Sequence, residues 1–272
     1  MSNRIISYYG GKARLAETLI DWMPPHENYL EPFAGGLSVF FKKAKAKWNA
    51  VNDLDKDIAN LYYVCSRGDL FEEFKQRTFF LIQSKEIYDI IRDNIKKKKR
   101  KIKIPDIQRA VDYFFYITVS FNNRPGTSIT KNVNKWNSEI VDKLEWSRRK
   151  LDQVIIENLD VNAFIKKYSK KKNAMWFFDP PYYVTEGTNY YGHVFNTYHH
   201  EMFRDSVDKL KKKNPDCYIM ITYDDHSAIR RLFKDYHIKE VDVTYSSSHE
   251  TIQTNEIVIT NYKLNDKQQT LF

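Results

Sequence analysis

The residues with the plainest chemical purpose are Asp179, Pro180, Pro181 and Tyr182, directly behind the apolar run Ala174 to Phe178. A carboxylate at the carboxyl end of a strand points into the crevice where open α/β sheets bind ligands, and two prolines hold the following turn extended. Asp179 and a backbone carbonyl on the same rigid loop, such as that of Pro180, can accept both hydrogens of an exocyclic amino group. Tyr182 can stack on the heterocycle that carries it. This is geometry for an aminated base. A chance Pro-Pro turn closing a strand is the plainer alternative.

A second turn, Glu31-Pro32-Phe33-Ala34-Gly35-Gly36, lies between an apolar run and a helical pattern. Its glycines let a ligand approach the backbone closely. The Gly-x-Gly-x-x-Gly spacing is missing, which disfavours a dinucleotide cofactor. Gly10-Gly11-Lys12 has neither the upstream glycine nor the following Ser or Thr of a phosphate loop, which excludes a nucleotide triphosphatase of that kind. Asp53, about 20 residues beyond the first glycine turn, stands where an acid binds ribose hydroxyls in such folds, or else caps the next helix beside Asp55 and Asp57. Asp160 likewise either accepts from an adenine amino group of a cofactor or caps a helix running through Lys167.

The elements that must position these residues can be read from the apolar pattern. Seven short runs read as strands: Tyr29 to Pro32, Ala50 to Asp53, Val154 to Asn158, Ala174 to Phe178, Cys217 to Thr222, His237 to Tyr245 and Glu256 to Asn261. Helical patterns lie between most of them, namely Leu37 to Lys47, Lys56 to Val64, His200 to Lys213 and His226 to Phe233. This is the alternation of a doubly wound, mostly parallel α/β sheet. The last two runs leave no room for a helix and predict an antiparallel pair. Between Asp53 and Val154 the pattern is helical, so Asp69 to Ser147 reads as an inserted helical domain. Its apolar positions Phe71, Phe74, Phe79, Phe80, Ile87, Ile90, Ile91, Val111, Phe114, Phe115 and Thr118 are expected to form its core.

A net charge of +9 favours a polyanionic partner, while 35 Asp and Glu remain for other work. Cys65 and Cys217 provide no Cys-x-x-Cys pair, which rules out a disulfide framework and a cysteine-built zinc site. The most apolar stretch, Val111 to Phe121, is far short of the roughly 20 residues that span a bilayer, and the start shows no signal-peptide apolar region. A protein of the cell interior is expected, in cytoplasm or nucleoid, or viral and acting inside a host cell.

In order along the chain, Tyr8-Tyr9-Gly10-Gly11-Lys12, Glu31-Pro32-Phe33-Ala34-Gly35-Gly36, Asn52-Asp53-Leu54-Asp55 and Asp179-Pro180-Pro181-Tyr182 resemble the Dam-like adenine-specific DNA methyltransferases. The resemblance extends to Ile221-Thr222-Tyr223-Asp224-Asp225-His226 and to Asn255 through Tyr262, and it is weak through the helical insert. It implies a Rossmann-like seven-stranded methyltransferase sheet with a late antiparallel strand and an inserted helical target-recognition domain. The division expected from the chain's own pattern is a discontinuous catalytic domain, 1–68 and 148–264, a helical DNA-recognition insert, 69–147, and a flexible tail, 265–272.

The implied cofactor is S-adenosylmethionine. Tyr8 and Lys12 would help close its pocket, Pro32, Phe33, Ala34 and Gly35 would flank the methionine part, and Asp53 would bind the ribose. Tyr8 departs from the tryptophan of many relatives. The implied reaction is direct in-line transfer of the methyl group to the 6-amino group of an adenine flipped out of duplex DNA, with Asp179 orienting the amine and Tyr182 stacking on the base. No metal is required. RNA adenine and the cytosine 4-amino group are the alternative acceptors.

For the DNA, Asn122, Asn123 and Arg124, before Pro125 and Gly126, have side chains suited to adenine and guanine edges, though a helix-ending turn needs the same residues. Lys96 to Lys103 carries seven cations in eight residues. It reads as a solvated loop, with Lys97, Lys98, Lys99 and Arg100 meeting phosphates or only water. The loop Thr185 to Phe195 has the length and glycines to order over a flipped base, and disorder is equally compatible. Gln268, Leu271 and Phe272 follow the Gln-x-x-Leu-Phe pattern of short peptides that dock on replication sliding clamps; a disordered or self-packed tail is the alternative. A monomer is the default.

Overall fold

The computed structural model describes residues 4–7, 11–97, 103–123, 126–132, 135–137, 139–183, 195–246 and 251–264. In chain order these form α1 (Ala16–Asp21), β1 (Asn28–Glu31), α2 (Ser38–Lys42), β2 (Trp48–Asn52), α3 (Lys56–Ser66), α4 (Gly68–Phe80), α5 (Lys85–Lys96) and α6 (Ile107–Val119). A single 3-10 turn, Phe121–Asn123, then leads to α7 (Glu139–Leu151), β3 (Ile155–Glu157), α8 (Val161–Tyr168), β4 (Ala174–Phe178) and α9 (Thr197–Lys213). The chain closes with β5 (Tyr218–Asp224), α10 (Ser227–Leu232), β6 (His237–Ser246) and β7 (Thr251–Thr260).

The strands form one 7-stranded sheet in the order β3-β2-β1-β4-β5-β7-β6. Pairing is parallel from β2 through β1 and β4 to β5. It turns antiparallel at β7 and β6. From β1 the chain winds outward to β2, and from β4 it winds the other way to β5. The carboxyl ends of β1 and β4 therefore meet at the switch point of the sheet, where such folds open a ligand crevice.

Two compact units divide the chain. One comprises Arg14–Ala34, Lys43–Asn52 and Leu159–Phe272. Its core explains why β4 is apolar without alternation: every residue of Ala174–Phe178 is buried, as a strand covered on both faces requires. Trp176 and Phe178, on one side of the pleat, stack with ring centroids 5.9 Å apart. Phe203, Val207, Ile219, Ile221, Ile257 and Ile259 complete that core.

The other unit comprises Met1–Ala13, Gly35–Lys42 and Asp53–Asn158. Its central helix is α6, which buries Val111, Phe114, Phe115 and Val119. The Arg109 guanidinium on α6 grips the Asp57 carboxylate on α3 through two hydrogen bonds of 2.6 and 2.8 Å. Asn60 on α3 exchanges two 2.8 Å bonds with the backbone of Asp106, the residue that caps α6.

The apolar stripe read from the sequence needs correction at three positions. Phe79, Phe80 and Ile90 are 61%, 78% and 62% exposed. The buried face of α4 is Phe71, Phe74 and Thr78, and on α5 it is Tyr88 and Ile91, so Phe79, Phe80 and Ile90 fall one or two residues off the inward line. The helix expected over Leu37 to Lys47 stops at Lys42. The Asn49 side chain holds both backbone groups of Ala46, at 3.2 and 2.8 Å, and so fixes a turn into β2. Among the described residues no helix is long and apolar enough to cross a membrane.

Arg109→Ala leaves a carboxylate stranded between two helices and is expected to lower unfolding stability by about 3 kcal/mol. Arg77→Ala removes a more exposed pair with Glu73 and should cost under ~1 kcal/mol. Urea unfolding of the two variants checks this, and equal losses would contradict it.

Candidate active site

Strand β4 delivers Asp179 to the switch point, where the apolar run ends and the first charged residue can reach solvent. Pro180 is buried and locks the exit from the strand. The neighbouring strand β5 holds the turn. With Phe178 level with Ile221 in the ladder, Thr222 comes alongside Asp179, and its hydroxyl donates to Asp179 Oδ1 at 2.8 Å. The Tyr183 amide donates to Asp224 Oδ1 at 2.9 Å. The Tyr183 ring stacks on His226 with centroids 4.5 Å apart, and Tyr182 and Tyr183 both pack against the core.

At the end of β1, the Tyr29 hydroxyl donates to the buried Glu31 carboxylate at 2.7 Å. Burial raises the Tyr29 phenol well above its ordinary value, the Glu31 charge adds to this, and the Asp179 charge adds further. One buried phenol thus feels the carboxylates at the ends of both β1 and β4. Asn52, at the end of β2, organises the turn beyond: its side-chain amide donates to the carbonyls of Pro32 (2.9 Å) and Leu159 (3.0 Å) and accepts from the Leu159 amide (2.8 Å). Its backbone carbonyl accepts from Ala34 at 2.9 Å. Phe33 meets Phe195 and Phe203 edge-on.

In the other unit, Gly35 adopts φ +44°, a backbone that glycine enters at little cost. Its N–H donates to Asp53 Oδ2 at 2.8 Å, and its carbonyl accepts from the Tyr62 hydroxyl at 2.7 Å. Asp53 Oδ1 accepts from the Asp55 amide, while Asp55 itself caps α3. Capping therefore falls to Asp55 and leaves Asp53 to orient the glycine turn. Withdrawal from water pushes the Asp53 carboxyl up to about 7, Asp55 adds repulsion, and the bonds from Gly35, Asp55 and Leu54 oppose both. Lys12 is buried in this unit.

Asp160 caps α8 by accepting from the Asn162 amide at 2.9 Å. Asn122 and Asn123 both take left-handed φ, 54° and 52°, a conformation asparagine tolerates better than most residues. Asn122 is exposed, and Asn123 accepts from Lys135 at 2.8 Å. Beneath this turn Ser120 bonds the Tyr116 carbonyl, the Tyr88 hydroxyl bonds Thr127, and the Tyr116 hydroxyl accepts from Gly126. Lys97 is exposed at the end of α5. Tyr8, Lys98, Lys99, Arg100, Arg124, residues 185–194 and the tail residues Gln268, Leu271 and Phe272 lie outside the described residues. Among those described, no group of three or more His, Cys, Asp or Glu is placed to hold a metal.

Thr222, Asp224, Asn52 and Tyr183 are the supporting residues that motif reading did not single out. Asn52 and the Thr222–Asp224 run sit inside matched motifs, but only the strand register shows what they hold.

A sheet parallel from β2 to β5 and closed by antiparallel β7 and β6, with Glu31 and Asp179 at the strand ends of its switch point, is the methyltransferase architecture the sequence led us to expect. The class is an α/β methyltransferase. Residues 8–247 match the model of the D12 class N6 adenine-specific DNA methyltransferases, and the chain belongs to that family. It is an adenine-specific DNA methyltransferase with S-adenosylmethionine as its cofactor. The family's acceptor sets aside the alternatives of RNA adenine and cytosine.

The chain is 26% identical over 287 residues to type II methyltransferase M1.LlaDCHI of Lactococcus lactis subsp. cremoris, covering 93% of each. It is 23% identical to the DNA N-6-adenine-methyltransferase of Escherichia phage P1, over 85% of this chain and 31% of that protein. Among solved structures, a SAM-dependent methyltransferase from Agrobacterium tumefaciens aligns with a TM-score of 0.39 and 8% identity, covering 91% of this chain and 59% of that one. A likeness at that level adds nothing to the assignment.

Because the folded Asp53 keeps a proton that the unfolded chain releases between its ordinary 3.8 and about 7, stability contributed by this group falls as pH rises through that window. Asp53→Asn is expected to gain on the wild type by ~1 kcal/mol or more between pH 5 and pH 8. Denaturant melts at the two pH values measure this, and a pH-independent difference would refute it.

Proposed function

We propose that the protein methylates the 6-amino group of an adenine drawn out of a short recognised sequence in duplex DNA, with Asp179 as the group that holds the amine. What supports this most is the place of Asp179, at the switch-point end of β4 and followed by Pro180, Pro181 and Tyr182. Asp179 and the Pro180 carbonyl accept the two amine hydrogens, turn the nitrogen lone pair outward and favour pyramidal geometry. Tyr182 stacks on the extruded base. As the nitrogen becomes cationic its proton leaves easily, so Asp179 need not be a strong base.

The glycine turn and the Asp53 carboxyl fit S-adenosylmethionine. Gly35 brings bare backbone forward, and a carboxyl made costly by burial gains from hydroxyl donors such as a ribose supplies. When bound, the cofactor supplies a sulfonium-activated methyl group. Asp53 holds the ribose, Pro32, Phe33, Ala34 and Gly35 flank the methionine part, Tyr8 and Lys12 help close the site, and Asp160 accepts from the adenine amine. Segment 69–147 is the recognition domain of a catalytic domain formed by 1–68 and 148–264. Within it Asn122, Asn123 and Arg124 read base edges, and Lys97, Lys98, Lys99 and Arg100 meet phosphates.

The enzyme works as a monomer inside a cell. Through Gln268, Leu271 and Phe272 in the tail, 265–272, it docks on a sliding clamp that keeps it near new DNA. A peptide of residues 265–272 is expected to bind an immobilised clamp, and no binding at ~100 μM, about −5.5 kcal/mol, would remove that part of the reading.

The central test is modified-base sequencing of DNA incubated with the purified protein and S-adenosylmethionine. The expected result is 6-methyladenine at one short motif, lost with Asp179→Ala. Full methylation by Asp179→Ala would overturn the role given to Asp179.

A further inference from the structure

We infer that Thr222 is a positioning residue for methyl transfer, fixing the Asp179 carboxylate from the neighbouring strand so that it meets the adenine amine in one orientation. The inference rests on the reading of Asp179 as the amine-holding group. Thr222 is fully buried on β5; Ile219, Met220 and Ile221 before it and Phe177 and Phe178 on β4 are apolar, and Tyr223 after it has its own hydroxyl bonded to His200. A central strand buried on both faces favours Val or Ile at such a position, and a hydroxyl there is costly unless it is bonded.

The Thr222 hydroxyl has two acceptors within reach, Asp179 Oδ1 at 2.8 Å and the Phe178 carbonyl at 3.4 Å. It carries one proton, and the nearer, charged acceptor takes it. The last torsion of an aspartate is broad, and the bond from Thr222 narrows it by holding Oδ1 from the neighbouring strand. Two residues further along, on the same side of the pleat, Asp224 accepts the Tyr183 amide at 2.9 Å. One strand therefore grips the five-residue turn at its first and last members, with the two prolines stiffening the span between them. Tyr182 rides on that span.

The test compares Thr222→Val, which keeps the shape and loses the hydroxyl, with Thr222→Ser, which keeps the hydroxyl, alongside Asp179→Ala. For each, kcat, KM for duplex DNA and the dissociation constant for S-adenosylmethionine are measured, with a thermal melt to confirm folding. Thr222→Val is expected to lose roughly 10- to 100-fold in kcat, the scale of a misplaced reacting group, with cofactor binding within about 2-fold of wild type. Thr222→Ser should recover kcat to within about 3-fold. If Thr222→Val does not fold, Thr222→Ser against Thr222→Ala makes the same comparison.

Wild-type kcat in Thr222→Val beside an inactive Asp179→Ala would overturn the inference and leave the reading of Asp179 standing. A kcat loss that Ser does not restore, or an equal loss of cofactor binding, assigns Thr222 a structural role and also overturns it. Activity in Asp179→Ala removes the reading beneath, and the inference with it.

Discussion

Parallel pairing of β1 with β4 is the constraint on which the rest depends. Each parallel strand must leave the sheet at its carboxyl end and return by a long crossover, so neighbouring strands deliver their exits to the same rim. Because the strands are apolar and buried, their first charged residues can stand only at that rim. Glu31, Asp179 and Asp224 follow from this geometry, and Tyr29 lies deep enough to be influenced by two of them. The hydrogen bonds around Asn52 and Thr222 then settle a question the sheet leaves open, namely how the exit loops hold their shape.

Much of this was legible in the residues alone. Strand β4 has the bounds its apolar run gives, Ala174–Phe178, because a doubly covered strand has no polar face to blur its ends. The late antiparallel pair could be read from the lack of room for a helix between two apolar runs. Where reading failed, several patterns satisfied the same rule. On α4, Phe79 and Phe80 continue an aromatic run that looks periodic, but a helix has one inward line and Thr78 lies on it. The shortened α2 was hidden because the residue that ends it, Asn49, acts from beyond it in the chain. Thr222 was illegible for a different reason: threonine in a strand is ordinary, and only the register with β4 brings it beside Asp179.

The helical unit solves another problem, that of holding a polar turn on an apolar helix. Helix α6 is buried along most of its length and ends in a turn with two left-handed asparagines. The hydroxyls of Tyr88, Tyr116 and Ser120 bind both limbs of that turn, so polar groups at the end of a hydrophobic helix find partners within a few residues. The Asp57–Arg109 pair anchors the other end of α6. The backbone of α6 and of the turn that follows it is therefore held at both ends, and the ordering cost of that backbone is met within the unit itself.

The grip of β5 on the active turn also bears on how such a chain can change over evolutionary time. Thr222 and Asp224 lie on one side of the strand, and side chains alternate with a strict period of two. Inserting or deleting a single residue between Tyr218 and Thr222 would carry both to the opposite face and break their bonds to Asp179 and Tyr183 at once. Lengthening a surface loop carries no such penalty. Within this fold the short stretch of β5 is therefore where chain length is frozen, and descendants of the sequence are free to drift in length where no strand register has to be kept.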